Sequence, residues 1–244
     1  MAYLTGLLEL DEMRLRQTIR GSRALEIVYL NVPKCACTTI KTALWRAAGG
    51  GERYRNARQF DPSLRYSFCF KKEDLIKFGP DPYVFTVVRN PFIRVYSAFR
   101  DKVVPRSQGD KRPLRAIKKL VRAHGTDANF KSFLHHIDSI PDAQRDPHWR
   151  SMTYQTNWNY LVPDFTGATE NMDAVVRQLE LVTHRTLPLH KRNSRGSAEE
   201  ALAAYDEEAI SMVLDIYKED FANFGYSCRI ENALLPPNTA TNRD

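Results

Sequence analysis

The stretch that decides the fold is residues 25–48, which read LEIVYLNVPKCACTTIKTALWRAA. Residues 25–32 are almost continuously apolar, a pattern typical of a parallel strand that is buried on both faces. After Pro33 the apolar residues change to helical spacing, and the glycines at 49–51 end the run. The stretch therefore predicts a strand, a tight loop and a helix, in that order.

The same order recurs at residues 83–103. Residues 83–88 (YVFTVV) predict a second buried strand, Asn90 is a residue type that caps helices, and Pro91 suits the first helical position. Apolar residues then continue at helical spacing as far as Val103. Two such units predict an α/β fold with a P-loop-like parallel β-sheet flanked by helices.

Other parts of the chain carry weaker signals. Asn171 can cap a helix over residues 171–182, and apolar spacing predicts a C-terminal amphipathic helix that ends at Gly225. Residues 49–82, rich in arginine, proline and glycine, are expected to hold a connecting helix or an irregular crossover.

The length and composition fit one large globular domain. The chain has 244 residues, of which 43% are hydrophobic and 27% charged. A chain of this length and composition can bury a hydrophobic core that needs no stabilising disulfides or metal ions. We expect a single domain over residues 1–230, with a basic insertion around 105–122 and a flexible tail at 231–244. No apolar run of about 18 residues and no signal-peptide pattern are found. We therefore expect a cytoplasmic protein, and a bacterial source fits.

Positive charge is concentrated in the first half of the chain. The net charge is +7, but residues 1–122 hold 25 Lys or Arg and 11 Asp or Glu, whereas residues 123–244 hold 11 and 18. The basic half is expected to face phosphates, sulfates, an acidic sugar, nucleic acid or a lipid surface.

The four cysteines indicate neither a disulfide scaffold nor a metal site. Cys35 and Cys37 have no matching Cys or His pair at zinc-finger spacing. We therefore expect no metal and interpret the cysteines as small packing residues.

The loop after the first strand has the composition of an anion site. A loop between a buried strand and a helix directs several backbone N–H groups to one point, where the helix dipole also favours an anion. Lys34 adds a positive charge, and Thr38 and Thr39 add hydroxyl donors. The motif G-x-x-x-x-G-K-[ST] is absent, which disfavours a nucleotide kinase. The structural alternative is a capped helix with a surface lysine.

A second pair of donors follows the second strand. Arg89 ends this strand, and Ser97 lies two turns into the following helix. Open α/β sheets bind ligands beyond the carboxyl ends of their strands, and arginine suits phosphate because its planar fork donates two parallel hydrogen bonds. Two anion sites at adjacent strand ends indicate a ligand with two separated phosphates.

At this point the motifs resemble a known family. VPKCACTTIK at 32–41 and VVRNPFIRVYSAFRDKV at 87–103 together resemble the two signatures of sulfotransferases that use 3′-phosphoadenosine 5′-phosphosulfate (PAPS). The similarity is to the carbohydrate branch that includes the chondroitin and HNK-1 enzymes. Weaker matches are DPHW at 146–149, FTGATE at 165–170 and YKEDFANFGY at 217–226.

The resemblance implies a role for each matched residue. The residues implied to bind the 5′-phosphosulfate are Pro33, Lys34, Cys35, Ala36, Cys37, Thr38 and Thr39. Lys34 would also act in catalysis, beside the oxygen that leaves. Arg89 and Ser97 would bind the 3′-phosphate. Lys191 and Arg192 lie where the family has a further loop near the nucleotide.

An acceptor hydroxyl benefits from a general base. His148 is the candidate, because imidazole titrates near neutral pH and the DPHW segment resembles the family. Glu170 or another carboxylate is the alternative base, and a structural hydrogen bond is the alternative role for His148.

Three hypotheses follow. The first is an O-sulfotransferase that moves a sulfuryl group from PAPS to a hydroxyl of a carbohydrate or glycoconjugate and releases adenosine 3′,5′-bisphosphate without a metal. The second keeps the donor but has a lipid, a small alcohol or tyrosine as acceptor. The third is a basic module that binds nucleic acid or an anionic membrane.

Under the first hypothesis, we expect no nucleic-acid partner. Residues 105–122 are then expected to contact an acidic glycan or anionic lipid, or to form a solvated helix face. The oligomeric state stays open.

Overall fold

The structure is a computed structural model that describes Arg14 and residues 17–50, 66–68, 81–104, 129–161, 163–188 and 198–238. The chain divides into two compact units. One comprises Met1–Val88, Met152–Arg192 and Ala240–Asp244, and the other Arg89–Ser151 and Asn193–Thr239. Among the helices of the described ranges, none combines the length and the apolar character that a membrane span requires.

In the first half of the described chain, each described helix follows two strands. The strands are β1 (Ile19–Ser22), β2 (Ile27–Leu30), β3 (Tyr66–Phe68), β4 (Tyr83–Val88) and β5 (Phe165–Ala168). The helices are α1 (Cys37–Ala47), α2 (Pro91–Lys102), α3 (Phe130–Asp138), α4 (Met152–Thr156), α5 (Met172–Thr183), α6 (Ala198–Ala203), α7 (Glu207–Ile216) and α8 (Lys218–Asn223). Short 3-10 helices occur at Asp142–Gln144, Thr169–Asn171 and Ile230–Asn232.

The first unit contains a five-stranded mixed sheet in the order β3-β1-β2-β4-β5. Strands β2, β4 and β5 are parallel, with Tyr29 opposite Phe85 and Phe85 opposite Phe165. Strand β1 runs antiparallel to both β2 and β3. The α/β class and the parallel strands predicted within 25–32 and at 83–88 are confirmed, and the two antiparallel strands make the complete sheet mixed rather than parallel.

One apolar face of this sheet packs against α1 and α5. Tyr29, Phe85 and Phe165 form a row across the three parallel strands, and the rings of Tyr29 and Phe85 stack with centroids 4.9 Å apart. The buried helix residues of the same cluster are Ile40, Ala43, Leu44 and Trp45 of α1 and Val175 and Leu179 of α5. Gly167 lets α5 approach β5, because a Cβ there would lie 2.5 Å from Cγ2 of Val175. This packing fixes the carboxyl ends of β2 and β4 at one edge of the sheet.

The predicted helix caps are confirmed. The Asn90 side chain accepts from the N–H of Phe92 at 3.0 Å, and Pro91 is the first residue of α2. The Asn171 side chain accepts from the N–H of Ala174 at 3.3 Å at the start of α5. Each cap satisfies a backbone donor that a helix start leaves unpaired.

The second unit has an aromatic core. Phe99 of α2 lies 5.6 Å from Phe133 of α3 between ring centroids, and Phe133 packs edge to face against Trp149 at 5.4 Å. Phe92, near the start of α2, packs against Phe221 of α8 at 5.1 Å. These contacts join α2, α3, α8 and the segment that carries His148 into one packed body.

The C-terminal region differs from the prediction. The single helix expected to end at Gly225 is two helices, α7 and α8, which meet at Tyr217. The φ of Tyr217 is −118°, and its buried hydroxyl donates to the Trp149 carbonyl oxygen at 2.6 Å. The expected tail also begins in packed structure, because Ala233 is fully buried and the N–H of Asn238 donates to the Gly225 carbonyl oxygen at 3.2 Å.

Three predictions about the fold fall wholly or partly on residues outside the described ranges. The basic insertion at 105–122 and the last residues of the tail, 239–244, lie outside them. Of segment 49–82, expected to be a helix or an irregular crossover, the described part includes the short strand β3.

Candidate active site

The anion loop, defined as residues 33–39, connects β2 to the first turn of α1 in the first unit. Helix α1 begins at Cys37, so Thr38 and Thr39 lie in its first turn, as predicted. Its N-cap is Ala36, which has no side-chain acceptor, and the first turn contains no acidic residue. The N–H groups at the helix start are therefore not capped by the residue that normally caps them.

The backbone of the anion loop is strained. Lys34 has a φ of 70° and Ala36 a φ of 52°, both in the left-handed region that residues other than glycine seldom adopt. Such a residue costs about 1–3 kcal/mol and persists where the surrounding structure enforces it, often at functional sites. Left-handed residues in a turn direct backbone N–H groups to one side, an arrangement that binds anions.

Two lysines, Lys34 and Lys41, lie in the chain on either side of the start of α1. Lys34 and Thr39 are partly exposed, and Thr38 is exposed. Burial lowers the pKa of Lys41; the nearby Cys37 opposes this shift, and Arg20 adds to it. An anion bound near Lys41 would oppose this shift and stabilise the charged form.

Two predicted loop residues contribute packing rather than donors. The Cys35 side chain is 0% exposed, and its Sγ lies 3.8 Å from Sδ of Met152. The N–H of Cys35 donates to the Val32 carbonyl oxygen at 3.4 Å. Pro33 is buried and has no N–H. Cys35 and Pro33 therefore shape the loop, whereas Lys34 and the helix start supply its positive charge.

The second predicted donor pair lies at the start of the second unit. Arg89 follows Val88, the last residue of β4, by one peptide bond and is partly exposed. Every residue of α2 from Pro91 to Phe99 is buried except Ser97, which is partly exposed. Arg89 and Ser97 thus retain the accessibility that a ligand-binding role requires.

His148 forms a close pair with a carboxylate. Its Nδ1 lies 2.6 Å from Oδ1 of Asp146, and its backbone N–H donates to the same oxygen at 2.9 Å. The imidazole is one-third exposed, at 33%. Burial acts to raise the pKa of Asp146, but hydrogen bonds from the ring and backbone of His148 outweigh it and hold this pKa below its usual value.

Asp146 was not among the residues predicted from the sequence, although its position two residues before His148 could have indicated the contact. An aspartate two residues before another residue can accept its backbone N–H in an Asx turn. In a D-x-H segment the same turn brings the carboxylate beside the imidazole.

The neighbouring arginines of α2 have structural partners. Arg94 is 1% exposed and donates to the carbonyl oxygens of Arg150 at 2.8 Å and Pro147 at 3.4 Å. Nε of Arg100 lies 2.9 Å from a Glu200 carboxylate oxygen. Arg94 therefore supports the segment that carries His148 instead of presenting its charge to solvent.

The structure describes the alternative base, Glu170, but not the further loop that contains Lys191 and Arg192. Glu170 lies in the 3-10 helix Thr169–Asn171, directly after β5, and is partly exposed. Lys191 and Arg192 lie outside the described residues, so their role stays a prediction.

Comparison with known proteins matches most of the chain to the model of a protein family. The model of the family described as Sulfotransferase family matches residues 17–227. This range contains the anion loop, Arg89, Ser97 and the Asp146–His148 pair.

Two curated relatives are similar to most of the chain. Carbohydrate sulfotransferase 11 of Rattus norvegicus is 24% identical over 233 residues, covering 83% of this chain and 65% of that protein. The protein of the same name from Mus musculus gives the same identity and coverage. The chain thus spans just under two thirds of the length of these relatives. No solved structure matches the chain.

Proposed function

The chain belongs to the sulfotransferase family, and from this premise we propose that it transfers a sulfuryl group from PAPS to a hydroxyl of a carbohydrate or glycoconjugate. The observation that carries the proposal is the anion loop. A strained turn with a partly exposed lysine joins a buried parallel strand to a helix whose N-cap residue offers no capping side chain.

The proposed donor, PAPS, has two separate anionic groups, and we assign each to one of the predicted donor sets. We assign the 5′-phosphosulfate to the anion loop, where Lys34, the N–H groups of the helix start and the hydroxyls of Thr38 and Thr39 would hold it. We assign the 3′-phosphate to Arg89 and Ser97. A guanidinium that donates two parallel hydrogen bonds suits that phosphate, which distinguishes PAPS from ATP and AMP.

Lys34 would supply electrostatic stabilisation. When bound, PAPS supplies a sulfuryl group on a leaving phosphate. As the sulfur–oxygen bond to that phosphate breaks, negative charge develops on the departing oxygen, and the Lys34 ammonium stabilises it where it appears. As in phosphoryl transfer, most of the rate would come from positioning and electrostatics.

His148 would act as the general base. Its imidazole would take the proton of the acceptor hydroxyl as the new oxygen–sulfur bond forms. Its partial exposure leaves the ring accessible to an acceptor, and the short contact with Asp146 holds its other nitrogen.

A saccharide acceptor is supported by the two relatives, both of which are named carbohydrate sulfotransferases. The excess of basic residues in the first half of the chain suits an acidic glycan. Residues 105–122 are the proposed contact for such a glycan or for an anionic lipid surface.

A transfer assay tests the proposal. Purified protein is incubated with PAPS carrying radioactive sulfur and, separately, with chondroitin, a neutral oligosaccharide, a lipid alcohol and a tyrosine peptide. We expect label in the saccharides and stoichiometric release of adenosine 3′,5′-bisphosphate. Label only in the lipid or the peptide would show that the acceptor is not a saccharide. No label in any acceptor would overturn the proposed activity.

Arg89→Ala tests the second anion site. We expect adenosine 3′,5′-bisphosphate to bind about 10- to 100-fold more weakly, because a hydrogen bond to a charged group contributes about 1.5–3 kcal/mol. AMP, which lacks the 3′-phosphate, is expected to bind nearly as it does to the wild type. Titration calorimetry measures both affinities.

Arg23→Ala is the matched control for this prediction, since Arg23 is exposed in the turn between β1 and β2. It removes the same charge without touching the proposed site. If Arg89→Ala weakens the binding of AMP and of the bisphosphate equally, Arg89 does not bind the 3′-phosphate.

A further inference from the structure

We propose that Asp146 is a positioning residue that holds the His148 imidazole with its proton on Nδ1 and leaves Nε2 as the atom that accepts a proton. This inference rests on the proposed function, in which His148 is the general base. It extends the part of Asp146 from contact with the ring to control of which ring nitrogen accepts the proton.

The contact geometry fixes the tautomer. An ionised carboxylate can only accept hydrogen bonds, so a contact of 2.6 Å between Asp146 Oδ1 and His148 Nδ1 requires the proton to lie on Nδ1. In the neutral imidazole the other nitrogen, Nε2, then carries the lone pair. The backbone N–H of His148 donates to the same oxygen at 2.9 Å, which limits rotation of the Asp146 side chain.

The backbone beneath this pair is held from several sides. The N–H groups of Trp149 and Arg150 both donate to the Asp146 carbonyl oxygen, at 3.0 and 2.9 Å. Arg94, through its guanidinium, donates to the Arg150 carbonyl oxygen, and Tyr217, through its hydroxyl, donates to that of Trp149. Arg94 and Tyr217 are each 1% exposed, so the carboxylate and imidazole project from a rigid turn.

Asp146 also acts on the imidazole through its charge. Hydrogen bonds from His148 lower its pKa despite burial, and Lys102 adds to this effect, so Asp146 is ionised at neutral pH. A carboxylate in this position orients the ring and stabilises the imidazolium that forms after proton transfer, the part played by the aspartate in serine-protease triads.

A second acid–histidine pair in the same unit provides a contrast. His135 Nε2 lies 3.7 Å from Oε1 of Glu208, beyond normal hydrogen-bond distance, and both side chains are about half exposed. The Glu208 carboxylate also contacts Lys131 at 2.7 Å. The Glu208–His135 pair also joins a carboxylate to an imidazole, but it lacks the short hydrogen bond that orients the ring of His148.

Nuclear magnetic resonance of the imidazole nitrogens tests the proposal. The protein is labelled with nitrogen-15 at histidine, and the His148 signals are assigned by their loss in His148→Ala. At a pH where the ring is neutral, we expect Nδ1 of the wild type to be protonated and Nε2 to be unprotonated. This measurement needs neither substrate nor a variant of Asp146.

The substitution Asp146→Asn tests the catalytic consequence. Asparagine can still accept the His148 N–H and so preserve the turn, but it lacks the negative charge. We expect kcat to fall about 10²-fold, within the range of a general base, while KM for PAPS stays unchanged. The preference for the proton on Nδ1 is expected to weaken, because an amide oxygen without a full negative charge accepts the Nδ1 hydrogen bond less strongly. Glu208→Gln, which removes the charge beside His135, is expected to change neither kcat nor the His148 signals.

The outcomes separate the two proposals. A wild-type spectrum with Nε2 protonated, or an unchanged kcat in Asp146→Asn, would overturn the role of Asp146. If the wild type sulfates no acceptor, the proposed activity fails, and the nitrogen spectrum still decides the position of the His148 proton by itself.

Discussion

Lys34→Ala is expected to lower kcat by about 10²–10³-fold while the protein keeps its fold, the loss typical of removing one donor that stabilises developing charge. Lys34 is partly exposed in the anion loop, and its backbone already has a φ of 70°. Because the Lys34 side chain is partly exposed, truncating it removes little buried surface, whereas its ammonium is the proposed partner of the leaving oxygen. Steady-state sulfuryl transfer and circular dichroism measure the two effects.

Two further variants separate the amine from the backbone. Lysine and alanine both carry a Cβ, so Lys34→Ala leaves the strain at this φ unchanged. Lys34→Gly removes the ammonium and also suits a positive φ, and it is expected to lose kcat to the same extent. Lys218→Ala removes an exposed lysine at the start of α8 and is expected to leave kcat unchanged. Activity of Lys34→Ala within a few-fold of the wild type would contradict the leaving-group role.

His148→Ala is expected to lower kcat by about 10²–10⁴-fold, the usual contribution of a positioned general base, without changing the affinity for adenosine 3′,5′-bisphosphate. The reason is that Nε2 of His148 is the proposed acceptor of the hydroxyl proton, whereas nucleotide binding is assigned to other residues. Because the ring is one-third exposed, added imidazole is expected to enter the space it leaves and to restore part of the turnover.

His135→Ala is the matched control for His148, since it removes an exposed imidazole from α3 of the same unit. It is expected to leave turnover intact. Unchanged turnover in His148→Ala would exclude His148 as the base. A large loss in Glu170→Gln alone would assign that role to Glu170, the alternative carboxylate.

Much of the fold follows from local sequence signals. The apolar run that contains β2 predicts a buried strand by itself, and Asn90 and Asn171 mark helix starts because their side chains accept backbone N–H groups. Strands β1 and β3 could not be found in this way. They have four and three residues, and Arg20 and Gly21 break any apolar alternation in β1. Their pairing depends on partners distant in the chain.

The candidate site was only partly predictable, for a similar reason. The composition of the anion loop indicates an anion site, but left-handed backbone at Lys34 and Ala36 is not expected of residues that are not glycine. Arg94 has the residue type of a phosphate ligand, and only the packed structure shows that its guanidinium binds two carbonyl oxygens. The proposed role of Asp146 depends on a contact between its carboxylate and the imidazole of His148, two residues later.

The most direct test of the central claim is the melting temperature of the protein with adenosine 3′,5′-bisphosphate, compared with AMP and with ATP plus magnesium. A ligand at 100 times its Kd adds about 2.7 kcal/mol, which for a chain of this size raises Tm by about 5–10 °C. We predict that increase with the bisphosphate and little change with AMP or ATP at the same concentration. An increase only with ATP and magnesium, or no increase with any of the three, would contradict binding of a PAPS-type nucleotide by this chain.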